Sequence, residues 1–202
     1  IKAIADALRV SASVTSVSLL VNYFDDATVA MLLKLKEEKP NLITLCGLKP
    51  NQAEADLKSR GLTPQDAKLL APEILVHASI TSIDLSKNSI GGYLDDISDV
   101  VVSTPEGPKT IADALRDSAS VTSVSLLVNR FDDPTVAMLL KLKEEKPTLT
   151  TLCGLQPDQT DAKFRGWSLT PQDAKLLAPE ISVHASLTKI LVGWNDLGDE
   201  GA

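Results

Sequence analysis

The sequence predicts an α/β fold: a curved, right-handed solenoid with a parallel β ladder on its concave face and helices on its convex face. Three observations carry this. The chain repeats itself at an offset of 107 residues. Short apolar runs of strand character each close on an asparagine. Each run is followed by an amphipathic segment of helical period.

The duplication comes first. Residues 4–22 and 111–129 differ only at Val10 against Asp117, and the match resumes from Phe24 against Phe131 and from Leu62 against Leu169. Residues 4–110 and 111–202 are therefore two near-identical long units of one domain spanning 1–202. Inside each unit a shorter pattern recurs. Val14, Val17, Leu19, Asn22 and Phe24 occupy the positions that Ile80, Ile83, Leu85, Asn88 and Ile90 occupy again, as do Leu187, Ile190, Val192, Asn195 and Leu197. Alternation places the aliphatic residues on one face of a strand. The asparagine amide is suited to backbone groups left unpaired by a turn. Strands are expected at 15–19, 81–85, 122–126 and 188–192.

The helical segments follow. Ala67, Leu70, Ala71 and Ile74 share one helical face. Thr63-Pro64-Gln65-Asp66 supplies a cap, a proline in the first turn and an acid at the third position, and Thr170-Pro171-Gln172-Asp173 repeats the signal. Helices are expected at 28–38, 64–77, 135–145 and 171–184. One strand–helix unit cannot exclude water from its own leucines, whereas stacked neighbours form a continuous core.

These motifs resemble leucine-rich repeats of the ribonuclease-inhibitor-like subfamily, as in NOD-like receptor sensor regions. The resemblance rests on Ile4-Ala5-x-Ala7-Leu8, on the asparagine-closed strands and on the final motif from Asn195 to Ala202. It implies a leucine-rich-repeat solenoid and says nothing of a ligand.

Two departures stand out. Against a base period of 28, ten extra residues lie between Leu42 and Gln52. Residues 42–48 and 54–58 are both able to extend, and the spacing leaves open which joins the ladder; 149–165 poses the same question. An insert at 92–104, acidic and then β-branched, is expected to be a surface loop replacing the start of a helix, or else a partner-docking loop. The chain starts inside a helical segment and stops where another should begin. This predicts a segment of a longer chain, with head-to-tail self-association or contact with the rest of that chain.

Composition narrows the function. A net charge of −7 argues against a general nucleic-acid binder. No apolar run is long enough to insert in a membrane. Cys46 and Cys153 occupy equivalent places and form no disulfide framework or metal spacing, which predicts a reducing, cytoplasmic setting. His77 and His184 stand near helix ends. Asp25, Asp26, Asp132 and Asp133 are expected to serve helix starts. No phosphate-loop, nucleophile-elbow or metal-ligand motif is present, so neither an enzyme nor a cofactor is expected.

The expected role is a protein-interaction scaffold or sensor segment, binding through the concave face and the inserted loop. The alternative is a spacer stacking end to end with other solenoid segments. Candidate partner-binding residues are the outward positions Ser82, Asp84 and Ser86 in the first unit, with Lys163, Arg165, Lys189 and Leu191 in the second. Ser16, Ser18, Leu20, Ser123, Ser125 and Leu127 are expected to be outward too. Charge is split: Glu54, Asp56 and Asp84 against Lys58 in the first unit, Lys163, Arg165 and Lys189 against Asp161 in the second. Trp167 and Trp194 complete the set, since they replace Arg60 and Lys87 and tryptophan is a frequent anchor at interfaces.

Overall fold

The structure, a computed structural model, describes residues 1–95 and 100–199. The middle of the acidic insert, 96–99, and the end of the last repeat motif, 200–202, lie outside the described residues. The fold is mixed α/β, with short parallel strands and, among the described residues, six helices. In chain order these are α1 (Lys2–Val10), α2 (Asp26–Glu38), β1 (Glu54–Asp56), α3 (Pro64–Val76), β2 (Ser82–Asp84), β3 (Gly92–Asp95), β4 (Val100–Ser103), α4 (Glu106–Asp117), β5 (Ser123–Ser125), α5 (Asp133–Glu145), β6 (Asp161–Lys163), α6 (Pro171–Val183) and β7 (Lys189–Leu191).

Helix starts follow the sequence signals. Thr63 caps α3 in a reciprocal box with Asp66, and Thr170 caps α6 in the same way with Asp173. Asp25 and Asp132 accept from the amides of Thr28 and Thr135, so α2 and α5 begin two residues before the expected Thr28 and Thr135. Each helix packs on its sequence neighbours, from α1 on α2 through to α5 on α6.

Strands also pair in chain order. β1, β2 and β5 form one parallel sheet, with Ala55, Ile83 and Val124 in register; β6 and β7 form a second. The expected strand at 15–19 is reduced to two bridges, Ser16 to Thr44 and Ser18 to Cys46. These settle the ambiguity left by the ten extra residues, because both segments join. Thr44–Cys46 bridges the strand before it, while Glu54–Asp56 pairs with β2 after it. The second unit repeats this, with Thr151 and Cys153 on β5 and β6 on β7. The ladder is thus interrupted once in each unit, between the two segments.

The asparagines tie successive repeats together. The Asn88 amide donates to the carbonyls of Leu57 and Leu85, and its oxygen accepts from Arg60 and Leu62 amides. Asn129 donates to Leu85 and Leu126, and Asn195 to Phe164 and Val192. Lysines do similar work at helix ends. Lys39 Nζ reaches the carbonyls of Leu8, Arg9 and Ser11 after α1, and Lys146 those of Leu115 and Ser118 after α4.

The insert is not a bare loop. β3 and β4 pair antiparallel as a hairpin, and a complete helix α4 follows. A Cβ at Gly92 would fall 2.2 Å from the Val102 carbonyl oxygen, so only glycine allows this entry to the hairpin. Ser103 Oγ donates to Asp132 at 2.6 Å, fastening the stem to the start of α5. Burial raises the Asp132 carboxyl, but the Ser103 and Thr135 hydrogen bonds outweigh it and hold the group below the usual carboxylate range.

One aliphatic core runs between the strand and helix layers, from Leu32 and Leu35 through Ile83, Leu85, Ile111 and Val124 to Leu139 and Leu176. Leu19, Val124 and Leu126 face it, with Val17 packed at its edge. Among the described residues, no helix is long and apolar enough to cross a membrane.

Candidate functional site: the open sheet face and its two grooves

The sheet face turned away from the helices presents most of the expected residues. Ser82 and Asp84 are half-buried there, and Lys163, Arg165, Lys189 and Leu191 are exposed. Ser86 is a correction. It is 0 % exposed, as is Leu127 at the equivalent position. Alternation stops after Leu85 and Leu126, where the chain bends toward its asparagine, so the next side chain turns inward. Ser125 is also buried, because β2 flanks it on one side and Gly154 (φ +77°) on the other, where a Cβ would lie 3.0 Å from that of Ser125; Ser18, with the equivalent Gly47 but no strand on its other side, stays exposed.

Sequence reasoning missed the grooves. Each interruption of the ladder opens a cleft, about 360 Å³ in the first unit and 380 Å³ in the second. Their walls correspond: Ser18, Cys46, Gly47, Leu48 and Gln52 in one, Ser125, Cys153, Gly154, Leu155 and Gln159 in the other. Three equivalent lining positions differ, with Asp56, Leu57 and Arg60 replaced by Lys163, Phe164 and Trp167. The ten extra residues were the available signal.

At the mouth of the second groove lies a cation–aromatic cluster. Lys58 Nζ stands 3.7 Å and Lys87 Nζ 4.6 Å from the centroid of Trp167, so a ring of the second unit meets two ammonium groups of the first. Phe164 meets Trp167 edge-on at 5.1 Å, and Arg165 lies 4.6 Å over Trp194. Burial, and then the charge of Lys58, lower the Lys87 ammonium from its ordinary range. Trp194 is 81 % exposed on a left-handed backbone (φ 62°), a conformation disfavoured for any side chain but glycine. The cluster sets cations against flat apolar rings.

Other reactive-looking residues have structural partners. His77 Nε2 bonds the Lys49 carbonyl and its Nδ1 accepts from the Ser79 and Ile80 amides; His184 repeats this with Gln156, Ser186 and Leu187. Asp26 and Asp133 pair with Lys68 and Lys175. Cys46 and Cys153 are buried and free, and burial, with Glu73 or Glu180 close by, pushes both thiols well above the ordinary thiol range. Dithionitrobenzoate should therefore label neither thiol in the native protein and both after unfolding; fast native labelling would show the cysteines to be accessible thiolates. Among the described residues, no group of His, Cys, Asp and Glu is placed to hold a metal ion.

Two buried carboxylates, unforeseen in the sequence, hold the groove walls. Glu73 on α3 accepts from Lys36 Nζ at 2.9 Å, Thr44 Oγ1 at 2.6 Å and the Leu45 amide at 2.5 Å. Glu180 on α6 makes the same three bonds with Lys143, Thr151 and Leu152. Each fixes the segment carrying the cysteine against the helix layer.

Compared with protein-family models and with curated proteins, the sequence matches none.

Proposed function

We propose that the chain is a leucine-rich-repeat solenoid segment of the ribonuclease-inhibitor-like kind that binds a protein partner through its open, concave sheet face, with no chemistry of its own. The solenoid reading is supported by strands and helices that each neighbour their successors in chain order. It is supported also by the offsets of 28 residues in the bridges and by the asparagines joining adjacent turns. Contact between Trp167 and Lys58, separated in the ladder by β2, β5 and the 151–153 segment, accords with an inward-curving strand layer.

One observation carries the binding reading. The two grooves keep their walls and buried anchors but differ where side chains line the opening, which is the pattern of a fixed scaffold with variable recognition positions. The hairpin, whose stem is fastened at the start of α5, adds exposed Tyr93, Leu94, Val101 and Val102. Exposed aromatic and aliphatic side chains among polar ones are typical of interfaces.

Affinity capture from the source cells tests the reading with three baits: the parent chain, a sheet-face variant (Asp84→Lys with Lys163→Glu) and a helix-face variant (Lys34→Ala with Lys141→Ala). Proteins held by the parent and the helix-face variant, and lost from the sheet-face variant, are the expected result. Capture that is indifferent to the sheet face, or that depends on the helix face, would overturn the reading.

A further inference from the structure

We propose that the cluster of Lys58, Lys87, Arg165, Trp167 and Trp194 is a docking site for an acidic peptide segment of the partner. The inference rests on the reading of the sheet face as the binding surface and specifies the chemistry that one part of it recognises.

Charge pairing is the first argument. The chain has 27 acidic and 20 basic residues, so carboxylates are not scarce. On the helix side the cations use them: Lys36 pairs with Glu73, Lys68 with Asp26, Lys143 with Glu180 and Arg116 with Asp113 and Glu145. At the cluster they do not. Among the described residues, no carboxylate lies within 4.0 Å of the Lys58, Lys87 or Arg165 charge, and their contacts are with indole rings. Two ammonium groups share one ring and repel each other. An incoming carboxylate relieves that repulsion. Cation–π contact fixes each cation through one side and leaves N–H donors free for an anion.

Backbone conformation is the second argument. Lys87 (φ 58°) and Trp194 (φ 62°) occupy equivalent turn positions in the two units, both left-handed. The same left-handed position recurs at Val21 and Val128, before Asn22 and Asn129, so the turn of each repeat holds this residue in a fixed place. Here it presents a cation in one unit and a ring in the other.

The surroundings select a peptide over a nucleic acid. Asp84 and Asp161 line the adjoining groove, and the whole chain carries −7. A continuous polyphosphate would be repelled along its length, whereas a peptide can place carboxylates on the cluster and its backbone amides beside the aspartates. Leu191, 37 % exposed, and Trp194 offer contact to an apolar neighbour of those carboxylates.

The test uses the chain's own signal, because Trp167 and Trp194 are its only tryptophans. Indole fluorescence of the whole chain is followed while adding an oligoglutamate peptide, an oligoglutamine peptide of equal length, or an oligothymidylate of matching charge. A saturable change with oligoglutamate is expected, weakened by added salt and absent with oligoglutamine. Lys58→Gln with Lys87→Gln should weaken oligoglutamate binding about tenfold or more. Arg165→Gln, at an exposed position, should also weaken it and serves if the double variant loses its native circular dichroism. Absence of any oligoglutamate response overturns the inference, as does equal binding by the variants or tighter binding of oligothymidylate. The two readings fail separately. Sheet-face-dependent capture without oligoglutamate binding would remove only the acid preference; oligoglutamate binding without such capture would remove the partner reading and leave the site.

Discussion

Glu73→Ala is expected to destabilise the protein by about 3–5 kcal/mol, the largest effect of any single substitution considered. The carboxylate is 2 % exposed and serves three donors at once. Removing it strands the Thr44 hydroxyl and the Leu45 amide in a buried setting and leaves the partly buried Lys36 ammonium without its counter-charge. The alanine also opens space beneath the segment bearing Cys46. Glu73→Gln keeps an acceptor but loses the charge, and should fall between the two. Glu180→Ala, in the same environment, should reproduce the loss in the second unit. Urea titration followed by circular dichroism measures each value. A loss below about 1 kcal/mol would mean that the carboxylate is not the anchor of the groove wall.

Leu85→Ala is the second large effect, about 2–5 kcal/mol. Leu85 is fully buried in the central sheet, and its carbonyl is also where Asn88 and Asn129 converge. Shortening the side chain removes contacts and leaves a cavity that stacked neighbours on both sides keep open. Ser16→Ala, at an exposed bridge position, should change stability by less than about 0.5 kcal/mol. Similar urea midpoints for these two variants would contradict the assignment of inner and outer faces.

Much of the framework was legible because its signals are local. Thr63 and Asp66 lie three residues apart, and their capping box forms as spelled. The expected helices at 64–77 and 171–184 end one residue beyond the observed α3 and α6. Alternation around Ile83 and Val124 places both in the core and leaves Ser82, Asp84 and Ser123 on the other side.

What was not legible depends on partners far along the chain. Glu73 reads as a surface acid on a helix until Lys36, Thr44 and Leu45 are brought to it. The same holds for Ser86, whose position continues the outward alternation in sequence but follows the bend to Asn88 in space. The run Val100-Val101-Val102 carried strand propensity, but nothing in its local spacing says that it pairs with Gly92–Asp95. The grooves were hidden because one spacing anomaly admitted two strand assignments, and both are used.

The paired grooves also bear on how such a molecule can change over generations. Their walls depend on Glu73 and Glu180, where substitutions are expected to be purged, while positions 56, 57 and 60 and their counterparts 163, 164 and 167 line the openings. Altered recognition can therefore accumulate most freely at the exposed positions 56, 60 and 163, whereas Leu57 and Phe164 pack in or on the core and tie any change there to stability. The two units display two outcomes of such change side by side in the same polypeptide. Transplanting Lys, Phe and Trp from the later unit into the earlier one is the shortest mutational path between the two surfaces, and a combinatorial library confined to positions 56, 60, 163 and 167 varies the groove lining while leaving the buried Phe164 in place.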